Sequence, residues 1–146
     1  MFLKTLIEFF ERDLLKVKEE LGMYKQESDI WLIPTGINNS GGNLVLHLVG
    51  NLKHFIGATL GSSGYERQRD LEFSSKDVPR QQMLEMLDET ISVVTTSLER
   101  LSNADMEKNF PLEKHGSTVS NTHMLLHLLT HLNYHLGQLN YHRRLV

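Results

Sequence analysis

Apolar residues recur at three- and four-residue steps in four stretches of the chain, the spacing of a buried helix face. In the first, Leu3, Ile7, Phe10, Leu14, Val17 and Leu21 form the stripe, and Glu8, Glu11, Arg12, Lys16, Glu19 and Glu20 cover the other side. That pattern predicts a helix from about Phe2 to Met23. A second helix is expected from about Asn43 to Leu60, with Asn43 as its cap and Gly61 to Gly64 ending it. A third runs from Pro79 or Arg80 to about Leu101 on Leu84, Leu87, Ile91, Val94, Leu98 and Leu101. Pro79 suits a first helical position. The fourth runs from about Asn121 to His142, capped by Asn121 or Ser120. Between these lie turn formers: Ser28 to Gly42 holds Pro34, Gly36, Asn38, Asn39, Ser40 and Gly41. The charged stretch Tyr65 to Val78 reads as loop, with at most a short turn. Asn103 to Ser120, with Pro111 and Gly116, is polar and has room for a short hairpin. Four amphipathic helices of this length imply an all-α four-helix bundle. The long connections after the first and second helices imply at least one crossover. No repeat, low-complexity tract or boundary interrupts the 146 residues, so one domain is expected over 1–146.

The polar faces carry the unusual feature. His123, His127, His131 and His135 follow one another at steps of four. Each residue of a helix advances about 100°, so a step of four drifts by only about 40°. Met124, His127, His131, His135, Gln138 and His142 therefore share a narrow stripe. Leu125, Leu128, Leu132, Leu136 and Leu139 form an apolar strip beside it. The second helix repeats the arrangement, with His47, Asn51, His54 and Ala58 beside Leu44, Leu48, Leu52 and Phe55. If both apolar strips face one core, the two histidine strips face each other.

Histidines four apart on a helix sit one above the other and can chelate one ion. Histidines eight apart are separated by about 12 Å along the axis and cannot. The chelating pair is therefore His127 with His131 or His131 with His135, and His131 belongs to both. A third ligand must come from another helix, with His47 or His54 as donor. Three neutral imidazoles and an open position suit zinc, nickel or a similar divalent ion. Taken singly, a histidine beside an apolar strip is most often a hydrogen-bonded core residue; only the consecutive pairs and the matching strip on the second helix favour a metal. His115 and His142 read as surface residues, and His123 is offset from the stripe and faces outward.

Composition narrows the chemistry. Hydrophobic residues make up 40% and charged residues 23%, the balance of a globular chain with a sizeable core. The net charge of -3 lacks the basic footprint of a nucleic-acid binder. His142, Arg143 and Arg144 read as a solvated helix end, where cations suit the dipole. There is no cysteine, which excludes disulfides, thiolate ligands and a cysteine nucleophile. No stretch approaches the roughly 18 apolar residues of a membrane span. The amphipathic start, Met1 to Glu20, does not read as a signal peptide, so a cytoplasmic location is expected.

The segment His131-Leu-Asn-Tyr-His135-Leu-Gly137-Gln138-Leu139 resembles the closing signature of the DinB-like, or YfiT-like, metalloprotein superfamily. Asn43-Leu-Val-Leu-His47-Leu-Val-Gly50-Asn51-Leu52 is similar to its second-helix motif. Arg67-Gln-Arg69-Asp70-Leu-Glu72-Phe73 looks like a stretch of one branch of unknown function. The likeness covers nearly the whole chain in order and spacing, and only the combination is specific. It implies a bundle with a long crossover and a zinc or nickel ion bound by His47, His131 and His135. It implies a dimer as the common assembly. It also implies a metal-dependent transferase in which a low-molecular-weight thiol attacks an electrophilic small molecule. The lack of cysteine fits a thiol that arrives as cosubstrate. The alternatives are a non-enzymatic metal or small-ligand binding bundle of a stress response, and a hydrolase acting through metal-bound water. Around the three histidines, Gln138 can hydrogen-bond a ligand imidazole. Asn51 can support the site from one turn after His47, and His127 adjoins the ligand pair. Arg67 and Arg69 can anchor an anionic substrate, although a solvated loop is the plainer reading of both.

Overall fold

The computed structural model describes residues 1–146 and is all-helical. Helix α1 (Phe2–Gly22) buries Leu3, Leu6, Phe10, Leu14, Val17 and Leu21. Ile7 packs against that face from its margin. Glu27–Trp31 then forms a single 3-10 turn. Helix α2 (Gly41–Leu52) begins earlier than its sequence suggests, because Ser40 and not Asn43 is the cap: the Ser40 hydroxyl accepts from the Asn43 backbone amide at 3.1 Å. Every residue of α2 is buried, so it is covered on all sides. It continues into one π-helical stretch, Lys53–Ala58, where Gly61 N–H reaches Ile56 O at 2.9 Å.

The segment expected as loop contains a helix, α3 (Arg69–Ser74). Helix α4 (Arg80–Glu99) follows, then the short α5 (Asn103–Met106), closed by a reciprocal cap between Ser102 and Asp105. Two isolated bridges, Asn109 with Ser120 and Lys114 with Ser117, are all that the anticipated hairpin amounts to. Helix α6 (Asn121–Leu145) is capped by Ser120.

Polar pairs fix the directions of the long helices. Asp13 accepts from Asn133 at 3.1 Å and Glu20 from Asn140 at 2.7 Å. Both steps are seven residues forward, so α1 and α6 run parallel. Lys18 meets Asp88, whereas Arg80 reaches the carbonyls of Gly22 and Tyr24, so α1 and α4 run antiparallel. Lys53 meets Glu89, and Gly57 and Gly61 abut Val93 and Ser97. The end of α2 therefore runs alongside α4 in the same sense. Parallel neighbours cannot be joined by a tight turn. The chain after α2 returns toward the start of that helix, carrying α3 with it. There the Asn43 side-chain amide donates to the carbonyls of Glu72 and Ser75, at 3.0 and 2.9 Å. This return path decides what lies beside His47.

His142 departs from expectation. It is buried, not on the surface. Its Nε2 lies 2.8 Å from the Leu32 carbonyl, which can only accept, so Nε2 carries the proton. Nδ1 therefore accepts from the Tyr24 hydroxyl at 2.6 Å. The connection after the 3-10 turn folds over the end of α6 and covers what periodicity alone leaves open.

Candidate metal centre

His47 sits mid-way along the buried α2, and His131 and His135 face it from α6. Their Nε2 atoms converge: His47 to His131 is 3.2 Å and His131 to His135 is 3.1 Å. All three lie within 4.8 Å of one another. Tetrahedral ligands about 2.0–2.1 Å from an ion would be about 3.3 Å apart. The spacing thus fits three nitrogens of one coordination sphere.

The outer partners of the rings make the same point. Glu72 Oε1 lies 3.0 Å from His47 Nδ1. A carboxylate only accepts, so His47 carries its proton on Nδ1 and aims a lone pair inward from Nε2. Gln138 Oε1 accepts from His135 Nδ1 at 2.7 Å, with the same consequence. A single proton on His131 Nε2 can serve only one of the two lone pairs that face it. A divalent cation satisfies all three nitrogens. His131 Nδ1 is buried without a protein partner, as is Asn51 Oδ1 on the facing helix.

Glu72 is the residue at the cluster that sequence reasoning missed. It is buried, and Arg67 grips it with Nε at 2.8 Å and Nη2 at 2.9 Å. Burial by itself would raise the carboxyl pKa. The hydrogen bonds from His47 and Arg67, and the charge of Arg67, outweigh burial and hold it below the usual carboxylate range. Gly50 makes the approach possible, since a Cβ built there would fall on the Glu72 carboxylate. The Phe73 ring packs on His47 with centroids 4.9 Å apart.

Burial keeps the His131 and His135 imidazoles neutral. Burial, then the positive ends of His135, His47, His127 and Arg67, lower His131 to about 4. Burial also lowers His135, against a raising contribution from Gln138. Neutral imidazole is the form that binds metal.

Over residues 1–146 the chain matches the family model described as protein of unknown function (DUF1572). The chain belongs to the DUF1572 family. No curated protein matches it.

In this DUF1572 protein the other anticipated residues divide into those at the histidine cluster and those outside it. Gln138 and Glu72 orient two of the three rings. Asn51 is buried one turn along α2 from His47. Arg67 has its guanidinium engaged on Glu72 and is largely buried, so it does not sit in a solvated loop. Arg69 is exposed and lies over the Phe73 ring at 5.2 Å. His127 stacks on His131 with centroids 6.4 Å apart and stays outside the cluster. His54 falls in the π-helical stretch against Phe55, and burial followed by Arg67 lowers its pKa. His123 and His115 are exposed. No helix is long and apolar enough to cross a membrane.

Proposed function

We propose that this protein is a metalloprotein of the DinB-like kind, a four-helix bundle with a long crossover that holds one zinc or nickel ion on His47, His131 and His135. The observation that carries the reading is the convergence of three Nε2 atoms whose outer nitrogens are, in two cases, tied to an acceptor. Glu72 and Gln138 keep their rings turned inward, and hydrogen bonds from His47 and Arg67 keep Glu72 ionised. The resemblance of both histidine motifs supports the same assignment.

When bound, such an ion lowers the pKa of a coordinated thiol or water and makes it nucleophilic at neutral pH. We favour the thiol: a low-molecular-weight thiol, supplied as cosubstrate because the chain has no cysteine, would give up its proton to solvent and bond through sulfur to an electrophilic small molecule as that molecule's leaving group departs with the electron pair of the broken bond. Phe73 and the buried face of α2 shield one side of the cluster from water.

Elemental analysis of purified protein tests the metal, with about one equivalent per chain expected and essentially none in His131→Ala. A thiol-conjugation screen with and without chelator tests the reaction. Metallated protein that accelerates no thiol transfer would leave a binding bundle in its place.

A further inference from the structure

A cavity of about 410 Å³ opens between the connection that precedes α2 and the last turns of α6. That volume suits a small molecule. Ile37, Leu44 and Leu145 give it an apolar body, and Asn38, Asn39 and Gln138 supply side-chain amides. Tyr141 adds an aromatic ring, and His142 also lines the cavity, with both ring nitrogens already engaged on Tyr24 and Leu32. No Lys, Arg, Asp or Glu lines it.

The cavity lies behind the histidine cluster: none of His47, His131 and His135 lines it. Gln138 belongs to both, since it lines the cavity and accepts from His135 Nδ1. Leu44 lies one turn before His47 on α2.

The geometry points to this cavity as the binding site of an uncharged small molecule with an aromatic or apolar body and an amide- or carbonyl-like polar group. An ionised ligand would leave water for a lining without counter-charge, which is costly. Amide side chains both donate and accept, so they satisfy a neutral polar group of either kind. Binding in the cavity does not rest on the proposed function.

Benzamide and benzoate have nearly the same shape and differ in charge, so they serve as probes. Each is titrated into the full-length apo protein and the zinc-loaded protein, with the side-chain amide resonances of Asn38, Asn39 and Gln138 followed by NMR. Benzamide is expected to shift these resonances saturably in both forms, and benzoate to bind about ten-fold more weakly or less. Ile37→Lys, on an exposed loop position, is expected to reverse the order. Equal or tighter benzoate binding to the unaltered chain, shifts confined to other residues, or no saturable shift with benzamide would overturn the assignment. Saturable benzamide binding together with a failed thiol-conjugation screen would remove the reaction and leave the cavity standing.

Discussion

Glu72 and His47 lie 25 positions apart in sequence, and their side chains meet at 3.0 Å because the return from α2 brings α3 alongside it. The carboxylate fixes which nitrogen of His47 carries the proton and so which one is free for an ion. Loss of such an outer partner typically weakens metal affinity by about 10–100-fold. Glu72→Gln keeps the shape but removes the charge, and it leaves Arg67 with a buried, unbalanced guanidinium. Zinc affinity, measured by competition with a chromophoric chelator, is expected to fall within that range while one equivalent still binds. Unchanged affinity would mean that Glu72 serves only to pair Arg67.

Gly50 offers a test that alters no polar group of the site. A Cβ at this position falls on the Glu72 carboxylate, so Gly50→Ala must push Glu72 away from His47. Helix propensity by itself favours alanine by about 1 kcal/mol. The expected outcome is therefore an α2 that remains helical by circular dichroism and a zinc affinity lowered as in Glu72→Gln. If Gly50→Ala binds zinc as tightly as the unaltered chain, the carboxylate is not what orients the ring.

Acid should act on the centre in a definite direction. The His131 pKa is about 4, lowered from the ordinary 6.5 chiefly by burial, and His135 is lowered for the same first reason. In the folded chain these rings stay neutral where the unfolded chain already binds protons. Unfolded protein thus holds more protons between about pH 6.5 and 4, and stability of the apo protein rises with pH across that window. Glu72, with its pKa lowered, adds stability that is present above the ordinary carboxylate range and lost on acidification. Denaturant midpoints of the apo protein should accordingly decline as the pH drops from 7 toward 4. Bound zinc should be released over the same interval, since protons compete for the ligands. A midpoint that climbs on acidification would contradict the burial of neutral imidazoles.

The sequence disclosed more of the histidine cluster than of what surrounds it. Helical spacing excludes histidines eight apart from one ion and leaves His131 in every surviving pair. It cannot choose between His127 and His135, or between His47 and His54, because those choices depend on how α2 and α6 are staggered. The resemblance favoured His47 and His135, and the packing brings these two together with His131. Glu72 stayed hidden for a physical reason. It lies in a charged stretch without periodicity, and its role arises from a crossover path that local pattern does not encode. His142 misled in the same way: its place at a helix end suggests solvent, but the connection after Trp31 folds over it.

That last contact carries a prediction of its own. Tyr24 donates to His142 Nδ1, and His142 donates to the Leu32 carbonyl, so one chain of hydrogen bonds ties the end of α1, the end of α6 and the intervening connection. Both side chains are buried. Tyr24→Phe removes the hydroxyl and leaves Nδ1 as a buried acceptor without a donor, a loss of about 1–3 kcal/mol. For a chain of this size each kcal/mol corresponds to about 2–4 °C in Tm. A drop of several degrees is expected by calorimetry. His131 and His135 lie further back along α6 and His47 lies on α2, with Gln138 on His135 and Glu72 on His47, so zinc affinity should stay as it was. The cavity should respond, because His142 lines it and Ile37 to Asn39 belong to the tethered connection. Weaker benzamide binding at unchanged zinc affinity would show that this hydrogen-bonded tether shapes the cavity and not the metal centre. Loss of zinc in Tyr24→Phe would instead couple the two sites through α6.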